Sequence, residues 1–274
     1  MAEVGSISLY IALALSSYGL IGSVSGKIFH SYQLQRSALR TAYLAPVALL
    51  ISTVSLVIAF LRHDFRLEYV ADHSNLAMDP IYTWVAFYSG NEGSLLYIAL
   101  VLSLLTVITV YFMPKALESI KPYTFAILVG ILTFFLAVMT FMANPFDTLP
   151  FIPGDGQGIN PLLTHPGMFF HPPMLMAGLV GISVPFSIAM GMLITGNISN
   201  NWVELGRIWS LIIWAILAIG LLLGSWWAYT ILGWGGYWAW DPIENVALMP
   251  WLVLTAFIHS IMVQKRRSLF KVWN

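Results

Sequence analysis

Seven apolar runs, at about 7–25, 43–61, 94–113, 124–143, 173–194, 208–224 and 247–264, set the terms for this chain. Each is long enough to cross about 30 Å of hydrocarbon as an α-helix. Only 9% of the residues are charged and 59% are hydrophobic, whereas soluble domains carry roughly a quarter charged residues. The expected fold is therefore all-α and integral to a membrane, with about seven transmembrane helices in a single domain over 1–274. Met-Ala-Glu precedes the first run without Lys or Arg, and no small-residue cleavage site follows it, so a retained first helix is expected rather than a removed signal.

Charge gives the expected topology. Net charge is zero, but ten of the twelve cations, from Lys27, Arg36 and Arg40 to Lys265 and Lys271, fall in alternate connections or in the C-terminal tail. Only Arg62 and Arg66 fall on the other side, together with ten of the twelve acids. The positive-inside rule then places the N-terminus outside and the C-terminus in the cytoplasm of a bacterium or archaeon, or its equivalent in an organelle. There is no cysteine, which excludes thiol catalysis, C-x-x-C redox chemistry and thiolate ligation. Nothing in the chain suggests a nucleic-acid partner.

Three outward connections are long, at about 62–93, 144–172 and 225–246, and function is expected on that face. The stretch "DPIYTWVAFYSGNEGSLL" is too short to cross and is predicted as a helix lying in the interface, followed by a Gly-rich turn. The stretch from "NPFDTLPF" to "FHPPM" is rich in Pro and Gly and should be irregular, so it must be wet or buried in protein.

"SWWAYTILGWGGYWAWDPIENVALMPW" carries six of the eleven tryptophans. Trp and Tyr favour the headgroup level, but a belt needs only one or two rings per helix end. Trp226, Trp227, Trp234, Tyr237, Trp238 and Trp240, interrupted by Gly233, Gly235 and Gly236, are expected to form an apolar platform for a flat ligand. Asp241-Pro242-Ile243-Glu244 is predicted as a structural helix start, with Asp at the N-cap, Pro at the first position and Glu closing a capping box. These carboxylates would repel an anionic group. Arg62 and Arg66 are the candidates to meet one, or else are solvated boundary charges.

Two of the six histidines stand out. His259 lies inside the seventh run, where ionisable residues are costly and serve as ligands or as hydrogen-bonded core groups. His171, in "FHPP", opens the fifth run at the outer mouth. His259 is seventeen residues beyond Pro242, about 25 Å of helix rise, so the two imidazoles cannot share one metal. If both are ligands there are two sites, each lacking a second axial ligand. A flat, apolar, anionic group that seeks imidazole is haem.

These residues resemble the tryptophan-rich WWD signature of haem-handling proteins in cytochrome c maturation. "NPLLTHPGMFFHPP", "HSN" at His73 and "GNEGSLL" at Gly90 are similar to its CcmF branch, the haem lyase of System I, and the resemblance runs to about Trp273. It implies that His171 is an outer axial ligand for transient substrate haem and that His259 ligates a stable haem b within the membrane. It also implies a haem carrier protein and an apocytochrome c with a C-x-x-C-H motif as partners, haem attachment to the partner's thiols, and a buried haem that keeps the incoming iron reduced. The family is usually longer, so the expectation is a split subunit or a fragment, with another maturation subunit carrying the missing His ligands. Alternatives are a WWD haem exporter or loader of the CcmC or System II type, and, from another class, a His-dependent membrane transporter or an assembly scaffold.

Overall fold

The computed structural model describes residues 1–196 and 201–270; Lys271 and Trp273, used above, lie outside the described residues. Ten α-helices follow one another: α1 (Ala2–Ile28), α2 (Tyr32–Leu61), α3 (Glu68–His73), α4 (Thr83–Phe87), α5 (Asn91–Tyr111), α6 (Lys121–Met142), α7 (His171–Gly181), α8 (Ser183–Thr195), α9 (Asn201–Ile231) and α10 (Pro242–Arg267). Among the described residues, seven helical segments are long and apolar enough to span, as expected from the seven runs. The fifth is made of α7 and α8 in tandem, broken at Ile182. Pro185 accounts for the break, because it has no N–H to offer the carbonyl one turn back.

Helix ends depart from the apolar runs for a physical reason. Apolarity reports the bilayer, while the helix continues into polar surroundings, so α2 begins at Tyr32, ahead of Gln35, Arg36 and Arg40, rather than near residue 43. Likewise α9 runs to Ile231. This corrects the expected loop at 225–246, because Trp226, Trp227 and Tyr229 are on a helix.

Close approach between spans depends on small residues, since lipid offers no hydrophobic drive for helices to associate. α1 lies along α2 and α6, where a Cβ on Gly22 would come within 3.0 Å of the Ala38 Cβ. α7 lies on α9 still more tightly. A Cβ on Gly178 would sit 2.8 Å from Leu217 Cα, and one on Gly220 would sit 2.7 Å from Leu175 N. α5 and α6 occupy the middle of the bundle, α1 and α2 one flank, and α9 and α10 the other. α10 is the least covered span, with 22% of its central window buried against 50% for α2.

The long connections on one face fold onto each other. Leu67 and Thr148 form an antiparallel bridge. Glu68 N–H donates to Asp147 O (3.0 Å), Leu149 N–H to Arg66 O (2.9 Å) and Gln157 N–H to Ala71 O (2.7 Å). The irregular Pro- and Gly-rich segment thus satisfies its backbone on a neighbouring loop, which is what irregular chain at a membrane requires. The expected interfacial helix is corrected: Asp79–Leu96 holds only a 3-10 turn (Pro80–Tyr82), α4 and the start of α5. Val85, Ala86 and Phe87 are fully buried, so α4 packs under the loops instead of lying on lipid.

Substituting Gly178→Leu should force α7 from α9 and lower stability by about 1–3 kcal/mol, the usual range for overpacking. Thermal unfolding in detergent micelles measures it, and Gly196→Leu, at a position open to solvent space but with positive φ, gives the cost of backbone strain alone.

Candidate functional site

His171 is placed by the helix it begins. Pro172 and Pro173 follow it at the second and third positions of α7, in the first turn, where no N–H is needed. The side chain reaches across to α9, and Nδ1 lies 2.8 Å from Gly220 O. A carbonyl only accepts, so Nδ1 carries the proton and Nε2 keeps a free lone pair. The ring lies over Gly224, where a Cβ would come within 2.4 Å of His171 Cε1. Only glycine at 224 leaves room for the imidazole. Trp227 lies nearly parallel to the ring, 6.5 Å away at 13°.

α10 completes the site. A cavity of about 240 Å³ lies between α7, α9 and α10, with His171, Gly224, Trp227, Trp238, Asp241 and Glu244 among its walls. The Trp238 Nε1–H is buried and has no partner among the described residues.

The aromatic platform is therefore two structures and not one loop. Trp226 and Trp227 are held by the preceding connection: Trp226 packs on His165 (4.7 Å, 63°), and Trp227 Nε1–H donates to Leu162 O (3.0 Å). Trp234, Tyr237, Trp238 and Trp240 belong to the turn between α9 and α10. Gly233 and Gly235 take φ of 68° and 76° there, a region that glycine enters freely. Tyr237 stacks on Tyr229 at 4.2 Å and 9°, and Trp240 meets Trp238 edge-on at 6.0 Å. Trp240 itself has φ 60°.

The predicted cap is present. Glu244 N–H donates to Asp241 Oδ1 (2.7 Å). Glu244 Oε2 accepts from Ala239 N–H (2.8 Å) and Asp241 N–H (3.4 Å), and Pro242 is the first helical residue. The same pair of carboxylates lines the cavity, so that wall faces any ligand with negative charge.

Arg62 and Arg66 are not brought to this cavity, whose walls include neither. Arg62 caps α2 at the opposite flank. Arg66 is held in a bidentate pair with Asp64 at 2.6 Å, and its guanidinium keeps the Asp64 carboxyl below the usual carboxylate range.

His259 stands well apart. Its Nδ1 lies 2.8 Å from Thr255 O, one turn back on α10, which leaves Nε2 as the free nitrogen. The imidazole is exposed on the surface of the chain rather than buried in it. It thus lies on the open flank of the least covered span. Sequence reading also missed Gly220 and Gly224, which the spacing "GLLLG" signals, and left His165 unassigned.

Replacing Asp241 with Ala should remove the cap and cost about 1 kcal/mol, while Asp241→Asn should retain most of it. Thermal unfolding of the two variants side by side checks this.

Comparisons with known proteins place the chain as a whole. A family model described as "Cytochrome C assembly protein" matches residues 88–273. The CcmF cytochrome c-type biogenesis protein of Pseudomonas aeruginosa is 42% identical over 99% of this chain and 42% of its own length. That of Escherichia coli is 39% identical over 100% of this chain and 42% of its own length. A solved structure described as "Cytochrome c Heme Lyase CcmF" superposes with a TM-score of 0.87 at 37% identity, covering 100% of this chain and 44% of that one. This chain thus spans less than half the length of these relatives. The chain belongs to the cytochrome c assembly protein family.

Proposed function

We propose that this membrane protein handles haem in cytochrome c maturation, presenting it on the tryptophan-rich face for attachment to apocytochrome c. The observation that carries the reading is the His171 imidazole: its Nδ1 is committed to Gly220 O, Nε2 is free, and the ring forms part of a cavity walled by Trp227 and Trp238. That donor set suits iron porphyrin, which takes imidazole as an axial ligand and offers flat faces to indoles. The cavity is smaller than the roughly 300–1,000 Å³ of enclosing ligand sites, so a macrocycle would seat one edge and leave the rest accessible.

His171 would hold haem at this face, and His259 would hold a second haem, of b type, at the flank of α10. Bound haem supplies the vinyl groups for thioether formation and, at His259, a reducing equivalent. The chain's own part is positional. Trp227 and Trp238 exclude water from one side of the His171 pocket, while Asp241 and Glu244 turn anionic substituents away from the α10 wall. No side chain of the site is placed as a general base, and the thiols come from the apocytochrome C-x-x-C-H motif. Holding both reactants in one place then supplies rate by proximity.

Ten of the twelve cations fall in connections or a tail away from the tryptophan-rich face, which supports an outer or periplasmic position for the site. The partners proposed are an apocytochrome c, a haem carrier and further maturation subunits, including one that contributes the second axial ligands. The exposure of the His259 imidazole on the α10 flank fits such a neighbour.

A pyridine haemochrome spectrum of the membrane assembly tests the reading. His259→Ala should lose the tightly held haem; His171→Ala should keep it and block cytochrome maturation. Equal haem in the His259 variant removes that assignment, and a colourless assembly would favour the transporter or scaffold class.

A further inference from the structure

His165 is six residues before His171 in "THPGMFFHPP", and the two imidazoles are wired in opposite ways. His165 Nδ1 accepts the Gly167 N–H at 3.0 Å, capping the 3-10 turn Pro166–Phe169. At its other nitrogen, Nε2 lies 3.2 Å from Thr230 Oγ1 on α9. The Thr230 hydroxyl has one proton, and it is directed to the α9 carbonyls of Trp226 (2.9 Å) and Trp227 (3.1 Å). Thr230 therefore accepts, and His165 Nε2–H donates. Both ring nitrogens are in use, so His165 has no lone pair for a metal.

Its surroundings are tight. The imidazole edge meets the Trp226 indole. Gly167 is buried beside both rings, and a Cβ there would come within 3.0 Å of His165 Nδ1 and 3.4 Å of the Trp226 ring. The turn capped by His165 then leads directly to the site: Met168 lines the cavity, its carbonyl accepts from Tyr88 Oη at 2.6 Å, and α7 begins three residues later. One imidazole thus ties the turn that delivers His171 to the last helical turns of α9, which deliver Trp226 and Trp227.

We propose that His165 is a positioning residue for the His171 site, setting the distance between the His171 imidazole and the α9 indoles without touching the ligand. This rests on the reading of His171 as the haem-binding imidazole. An Asp at 165 would keep the cap on the Gly167 N–H, since a carboxylate caps a helical turn well, but it has no proton to donate to Thr230. An Ala would break both ends of the connection.

The test is titration of the full chain, carrying His259→Ala throughout so that the proposed second haem site is absent, in nanodiscs with ferric protoporphyrin IX, followed by absorbance and by quenching of tryptophan fluorescence, with thermal unfolding measured on the same samples. His171→Ala sets the baseline for loss of the site. His165→Ala is expected to weaken porphyrin binding roughly 3- to 30-fold, the range that loss of a cap implies, and His165→Asp, which keeps only the cap, to recover part of that loss. Thr230→Val, which also keeps only the cap, should match His165→Asp, and it remains available should His165→Ala fail to fold. If His171→Ala binds like the His259→Ala parent, the haem reading itself fails. If His171→Ala is defective while His165→Ala and Thr230→Val bind normally, or if His165→Asp is as weak as His165→Ala, the positioning role is overturned. A melting temperature that falls in step with affinity across all three variants would also overturn it, in favour of a general loss of stability.

Discussion

The contact between α7 and α9 governs the geometry of the His171 cavity. Helices that meet with glycine on both sides bring backbone against backbone, and in a bilayer such van der Waals packing is a main source of association. At Gly178 and Gly220 the two helices come so near that no Cβ fits. That proximity puts a main-chain carbonyl within reach of a side chain at the start of the neighbouring helix. The result is the hydrogen bond between His171 and Gly220, which decides the tautomer and hence which nitrogen a metal could meet. Gly224, one turn further, then provides the hollow in which the ring lies.

A second layer of organisation comes from the loops. The stretch between α6 and α7 has almost no regular structure, yet it is tied to the segment after α2 by backbone hydrogen bonds and to α9 by the Trp227 indole and His165. Aromatic side chains serve here as hydrogen-bond donors as much as apolar surface: Trp84 Nε1–H donates to Phe169 O at 3.1 Å, and Tyr97 Oη to Pro173 O at 3.2 Å. A buried indole or phenol normally finds such a partner. These contacts hold the approach to α7 from two directions.

Much of this was legible in the sequence, and the failures are instructive. Seven spans and the cap at Asp241 were readable because hydropathy and capping are local properties. The end of α9 was not, because Trp and Tyr are compatible with both a helix end and an interfacial loop. Arg62 and Arg66 were candidates only through charge sign; that both sit at the far flank of the bundle is a tertiary fact. His259 was singled out by an ionisable group within an apolar run, but no periodicity told which side of α10 it faces. The role of His165 was hidden because its meaning lies in a threonine sixty-five positions away.

Trp240 carries one more lesson. Its backbone occupies the left-handed region, where an L side chain costs on the order of 1 kcal/mol or more and glycine would sit without strain. The conformation is kept by what surrounds it: Asn245 Nδ2 donates to the Trp240 carbonyl at 3.0 Å, and the Glu244 carboxylate gathers the neighbouring amides. An indole two-thirds exposed, retained where the main chain would relax as glycine, has its worth in the ring itself. The turn before α10 is therefore pinned by the helix start, with a large aromatic surface offered outward at its crest.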